Sequence, residues 1–77
     1  MQFREAYTFE DYGDAIKAYS LLVGLHRAGD SIFDGVRRTS SDTVSIVCKE
    51  KDLKACQEQV DATLSGMDYS IRCFVSH

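Results

Sequence analysis

FEDYGDAIKAYSLLVGLHRA, Phe9 to Ala28, is the longest run that reads as one element, and its reading decides the fold. One apolar row is Phe9, Tyr12, Ile16, Tyr19 and Val23; a second is Ala15, Ala18, Leu22 and Leu25. Together they make a wide stripe at helical spacing, as a helix lying on a sheet requires. Leu21 falls outside both rows. Thr8 with Asp11 three residues on resembles a capping box, with Asp in place of Glu or Gln. Glu10, Asp11 and Asp14 sit near the positive end of the helix dipole, and His26 and Arg27 near its negative end. Gly29 offers the left-handed position that closes a helix. Gly13 and Gly24 each cost about 1 kcal/mol of helix propensity relative to Ala.

Outward from this helix the spacing changes to two. Upstream, Gln2 to Tyr7 alternates, with Phe3, Glu5 and Tyr7 on one side and Gln2, Arg4 and Ala6 on the other. Downstream, Ser31 to Thr39 reads as a second strand, with Ile32 and Val36 facing one way and Phe33 and Arg37 the other. Gly35 inside it marks a candidate bulge, which leaves the facing of Phe33 open. Ser40 to Asp42 turns the chain into Thr43 to Lys49, TVSIVCK, the cleanest strand pattern present. Val44, Ile46 and Cys48 face the core there, and Thr43, Ser45 and Val47 face away. Glu50 to Leu64 is a second helix with a stripe of Leu53, Cys56, Val60 and Leu64, and Gln57 at its edge. Glu50 and Lys54 form an i,i+4 pair, and Gly66 stops the helix. Asp68 to Ser76 is the last strand, with Tyr69, Ile71, Cys73 and Val75 on one face and Arg72 and Phe74 on the other.

The order β-α-β-β-α-β over the whole chain resembles the ferredoxin-like fold, an α+β arrangement with two helices on one face of a four-stranded antiparallel sheet. Residues 1–77 are expected to form a single domain, since a chain of 77 residues has no room for a second core. That fold hosts many functions, so its known users are tested on residues. Heavy-metal-binding domains carry a Cys pair after the first strand; Tyr7, Thr8 and Phe9 stand there. Acylphosphatases carry a glycine-rich loop with an arginine, which this first loop lacks. RNA-recognition domains display aromatic rings on the middle strands, where this chain offers Thr43, Ser45 and Val47.

Composition narrows the remaining classes. The net charge of −3 argues against a non-specific nucleic-acid binder. No apolar run reaches membrane-spanning length, and MQFREAYTFED lacks the signature of a signal peptide. A cytoplasmic protein without membrane association is the expectation. The three cysteines, Cys48, Cys56 and Cys73, match no metal or redox spacing and read as small core residues in a reducing cell. No metal or cofactor is implied. Only His26 and His77 titrate near neutrality, no nucleotide, zinc-protease or triad motif occurs, and no enzyme activity is expected.

Binding is the expectation that remains. Arg4, Arg37 and Arg72, with Phe33 and Phe74, are predicted to share the helix-free side of the sheet, a mixture suited to a protein contact. Asp11, Asp14, Asp52, Glu58 and Asp61 are predicted to make an acidic helical side. The leading expectation is an inhibitor, adaptor or regulatory subunit acting by surface complementarity on a protein partner, of the type of phage-made inhibitors. A homodimer is an expected form. The competing classes are a nucleic-acid-binding regulator using the open face and a dimeric small-ligand sensor with its site at the first strand–helix loop.

Overall fold

The computed structural model describes residues 2–76. The elements run β1 Gln2–Phe9, α1 Tyr12–Arg27, β2 Gly35–Arg38, β3 Thr43–Lys49, a 3-10 turn Glu50–Asp52, α2 Leu53–Thr63 and β4 Tyr69–Ser76. The strands form one antiparallel sheet in the order β2-β3-β1-β4. Two helices pack on it, giving the ferredoxin-like topology that the element order implied.

β1 is longer than its alternation suggested, and this moves the start of α1. The Phe9 N–H donates to the Asp42 carbonyl at 2.8 Å, and the Phe9 ring lies 5.7 Å from that of Tyr69. Phe9 therefore ends a strand instead of opening a helix. Thr8 is a ladder residue whose hydroxyl meets that of Thr43 at 3.2 Å, so it is not the cap. Asp11 caps α1, its backbone extended and its Oδ1 accepting the Gly13 N–H at 2.7 Å. Only the row of Ala15, Ala18 and Leu22 is fully buried, with Leu25 packed beside it. Tyr12 and Ile16 are exposed. Tyr19 is partly buried against the core as well.

α1 ends as its sequence predicts. Gly29 takes φ 79°, its N–H donates to the His26 carbonyl at 3.2 Å, and the Asp30 N–H reaches Leu25 at 3.1 Å. These are the two bonds of a Schellman motif. The loop beyond is clamped from α2: the Gln59 side chain accepts the Ile32 N–H and donates to the Asp30 carbonyl, both at 2.8 Å.

The bulge at Gly35 decides where Phe33 goes. Val47 is paired with Gly35, yet its carbonyl also accepts the Asp34 N–H at 2.6 Å. Two residues thus oppose one, which shifts the alternation upstream by one place. Phe33 is turned under the helices, buried, with its ring stacked 6.0 Å from that of His26. The expectation that Phe33 joins the open face is overturned, and the second strand starts at Gly35 instead of Ser31.

The rest of the core is Tyr7 and Phe9 from β1, Val44, Ile46 and Cys48 from β3, and Cys56, Val60 and Leu64 from the α2 segment. Each large apolar side chain among them contributes about 1.5–3 kcal/mol relative to exposure. α2 begins later than expected, at Leu53, and Asp52 makes no side-chain cap. Gly66, at φ 88°, turns the chain toward β4.

Candidate binding face

The register places each residue of the open face. Gly35, Val47, Arg4 and Phe74 lie side by side across the four strands; Arg37, Ser45, Ala6 and Arg72 form the next row. The alternate residues, among them Glu5, Tyr7, Ile46 and Cys48, are buried against the helices. The sheet thus brings together Arg4, Arg37, Arg72 and Phe74. Arg37 and Arg72 are exposed, Arg4 is half-buried, and Phe74 leaves 46 % of its surface to solvent. Ser45, small between taller neighbours, is only 3 % exposed. Arg4 and Arg37 flank a depression of about 230 Å³ floored by Ser45 and Val47.

Lys49 belongs to the same face, opposite Gln2, and joins the three arginines that the sequence pattern points to. Its parity with Ser45 and Val47 was the available signal. With it, the paired residues of the four strands present four cationic side chains on this face and, among those described, no Asp or Glu; the exposed Asp34 stands at its corner, opposite Val47 in the bulge. The chain as a whole has nine Lys and Arg against twelve Asp and Glu. Most of its acidity therefore lies away from this face, a separation that the net charge conceals.

The five predicted acidic residues do not form one surface. Glu58 and Asp61 border a groove between α2 and β4 that also contains Lys54, Gln57, Tyr69 and Ile71. Asp61 accepts the Tyr69 hydroxyl at 2.8 Å, and burial followed by this bond pushes that phenol up to about 12. Asp11 is spent on the α1 cap, Asp14 is half-buried in the first turn of α1, and Asp52 precedes α2. Because β1 and β3 are antiparallel and each feeds a helix, the starts of α1 and α2 lie at opposite ends of the sheet. Asp52 is thereby separated from Asp11 and Asp14. The first strand–helix loop does border an open hollow, lined by Phe9, Glu10, Tyr12, Asp42, Asp68 and Tyr69 among others. Hydrogen bonds from Ser40 and Thr43 hold the Asp42 carboxyl below its ordinary range.

Beneath the helices lies a polar group that the sequence reading assigned only to a strand face. Glu5 is fully buried. Gln57 Nε2 donates to its Oε2 at 2.6 Å, and the Cys48 thiol donates weakly to Oε1 at 3.8 Å. No Lys, Arg or His is hydrogen-bonded to it among the described residues. Desolvation raises its pKa above the usual 4.5, and the donors offset this only in part. Beside it the Tyr7 hydroxyl is buried without a hydrogen-bond partner of good geometry, and burial moves its pKa up as well.

The cysteines divide. Cys48 and Cys56 are buried as expected, but Cys73 is exposed, a correction to its reading as a core residue. Burial pushes the Cys48 thiol up to about 12 and raises that of Cys56; partial desolvation by its neighbours, then the charge of Glu5, raises that of Cys73. These thiols are protonated at neutral pH, the opposite of an activated nucleophile. No group of three or more His, Cys, Asp or Glu among the described residues is placed to hold a metal ion. His26 bonds Ser31 through Nδ1 at 3.0 Å, and the serine in turn donates to the Phe33 carbonyl, so the imidazole pins the loop. His77 lies outside the described residues. No helix among the described residues is long and apolar enough to cross a membrane. Neither the protein-family models, nor the curated proteins, nor the solved structures contain a match to this chain.

Proposed function

We propose that the chain is a cytoplasmic binding protein whose helix-free sheet face docks an acidic surface of a partner protein, so acting as an inhibitor, adaptor or regulatory subunit. The observation that carries this reading is the sorting of charge. Arg4, Arg37, Lys49 and Arg72 occupy one face, with Asp34 of the bulge at its corner against four cations, in a chain with an acidic total. Such a face steers an acidic partner and rejects a basic one. Phe74 and the depression between Arg4 and Arg37 supply the apolar and shape components of a contact. The free, exposed Cys73 suits a reducing compartment.

The same cations favour nucleic acid as a second reading. Against it, the open side of the middle strands β1 and β3 carries Gln2, Arg4, Ala6, Thr8, Thr43, Ser45 and Val47, without a ring for stacking.

The test is affinity capture from native lysate, with and without nuclease, using the wild type and an Arg37→Glu/Arg72→Glu double variant. A protein partner is expected with the wild type in both conditions. Its recovery should fall at least tenfold with the double variant, whose circular dichroism stays native. Equal recovery with both proteins would sink the reading, and material recovered only without nuclease would replace it with the nucleic-acid one.

A further inference from the structure

The sheet has two edges, and they are built differently. β2 has four residues, carries Arg37 and Arg38, and begins at a bulge. These are devices that discourage a further strand from adding. β4 has eight residues, Tyr69–Ser76, with no proline, no glycine and Arg72 as its single charge. It exposes apolar side chains on both faces: Ile71 at 46 % and Val75 at 38 % on the helix side, Phe74 at 46 % on the open side.

The backbone of β4 is also free in a defined pattern. The Phe9 N–H to Asp42 bond fixes the odd residues of β1 as those whose backbone groups point to β3. Its even residues point to β4, where they meet Ser70, Arg72 and Phe74. Ile71, Cys73 and Val75 therefore aim N–H and C=O away from the sheet, where no strand among the described residues receives them. Along the strand the sequence is SIRCFVS, Ser70 to Ser76. Read in both directions from Cys73, it places an Arg opposite a Phe, an Ile opposite a Val, and a Ser opposite a Ser.

We propose that two copies of this chain join edge to edge through β4, antiparallel, about a two-fold axis at Cys73. In this register the outward backbone groups of Cys73 meet those of its copy, and Ile71 meets Val75 on either side. Arg72 lies beside the ring of Phe74 from the other copy, a cation–π arrangement on the open face. Ile71 and Val75 cover each other on the helix side. The competing register about Arg72 sets two guanidinium groups directly opposite one another, which is unfavourable. Registers centred further from the middle of β4 shorten the shared ladder. The two-fold axis is perpendicular to the sheet, so both helical layers stay on one side. The cationic faces of the two copies fuse into one surface of twice the charge, with the Phe74 rings near its centre.

Analytical ultracentrifugation of the full chain over a concentration series, with a short bis-maleimide cross-linker as a second readout, tests the register. A reversible monomer–dimer equilibrium is expected, and cross-linking through Cys73 alone, since Cys48 and Cys56 are buried. Phe74→Arg opposes two cations and should weaken association at least tenfold. Phe74→Glu sets a carboxylate beside Arg72 and should preserve or tighten it. Cys73→Ser should abolish the cross-link and leave the sedimentation unchanged. Opposite signs for the two Phe74 variants are what this register requires, because general hydrophobic association would suffer from both. A monomer at every concentration, equal weakening by both variants, or cross-linking that persists in Cys73→Ser would overturn the proposal. Should Phe74→Arg not fold, the wild-type sedimentation and the Phe74→Glu and Cys73→Ser variants still decide it.

Discussion

β1 and β4 are ladder partners of equal length with the same alternation, yet their environments are opposite. β1 lies between two strands and under the helices, and places Glu5, Tyr7 and Phe9 where water does not reach. β4 lies at the edge, and Ile71, Cys73 and Val75, on the same side of the sheet, stay in solvent. The reason is the position of the helices: α1 packs on β1, β2 and β3, and α2, which reaches β1 through Gln57 and the start of β4 through Asp61, leaves an open groove beside Ile71. Alternation states which way a side chain points. Whether anything covers it depends on strand order and helix placement. The result is a carboxylic acid in the core and an apolar strip at the rim, an inversion of the usual preference.

Truncation at matched positions separates the two strands most, since Tyr7 and Ile71 face each other across the β1–β4 ladder. Tyr7→Ala is expected to cost about 3 kcal/mol or more in chemical denaturation, at any protein concentration. Ile71→Ala, measured dilute enough to keep the chain monomeric, is expected to cost no more than about 1 kcal/mol. Equal losses would mean that β4 is covered after all.

A smaller effect comes from Glu5. Its folded pKa is raised, so the folded chain holds the proton more tightly than the unfolded chain does. The stability this contributes is complete below the ordinary value near 4.5 and is lost as pH rises through the raised value. Wild-type stability should therefore decline across that window, from this group, on going from acid toward neutral pH. Glu5→Gln should remove this decline and add on the order of 1 kcal/mol at pH 7. Denaturant midpoints against pH for both proteins check the sign; a rise with pH that disappears in Glu5→Gln would mean the carboxylate is stabilised in the fold.

Smallest in energy is thiol access. In the dilute native chain, Cys73 should react promptly with a maleimide, and Cys48 and Cys56 only after denaturation. Mass spectrometry of the partly labelled protein reads this directly, and early labelling of Cys48 would contradict its burial.

Much of this architecture was legible in the chain because local patterns were strong. TVSIVCK alternates cleanly, the α2 stripe of Leu53, Cys56, Val60 and Leu64 repeats at helical spacing, and Gly29 marks the end of α1. Arg4, Arg37, Arg72 and Phe74 fell on one face because parity alone assigns them. Phe33 was misplaced since one extra residue at a bulge reverses parity, and the bonds that hold the bulge come from β3. Phe9 was given to the helix since its spacing fits a stripe as well as a strand end, and only the bond to Asp42 separates the two.

What the sequence determined by itself is the set of elements, their order and the side to which most strand residues point, because those follow from backbone periodicity and capping within a few neighbours. What the tertiary structure alone decided is which of those sides is sealed. Glu5 lost its water, Cys73 kept its own, and the four cations of the open face were gathered on paired strand positions that carry no anion. Strand order brings together residues far apart in the chain, and desolvation and charge segregation arise only from that assembly.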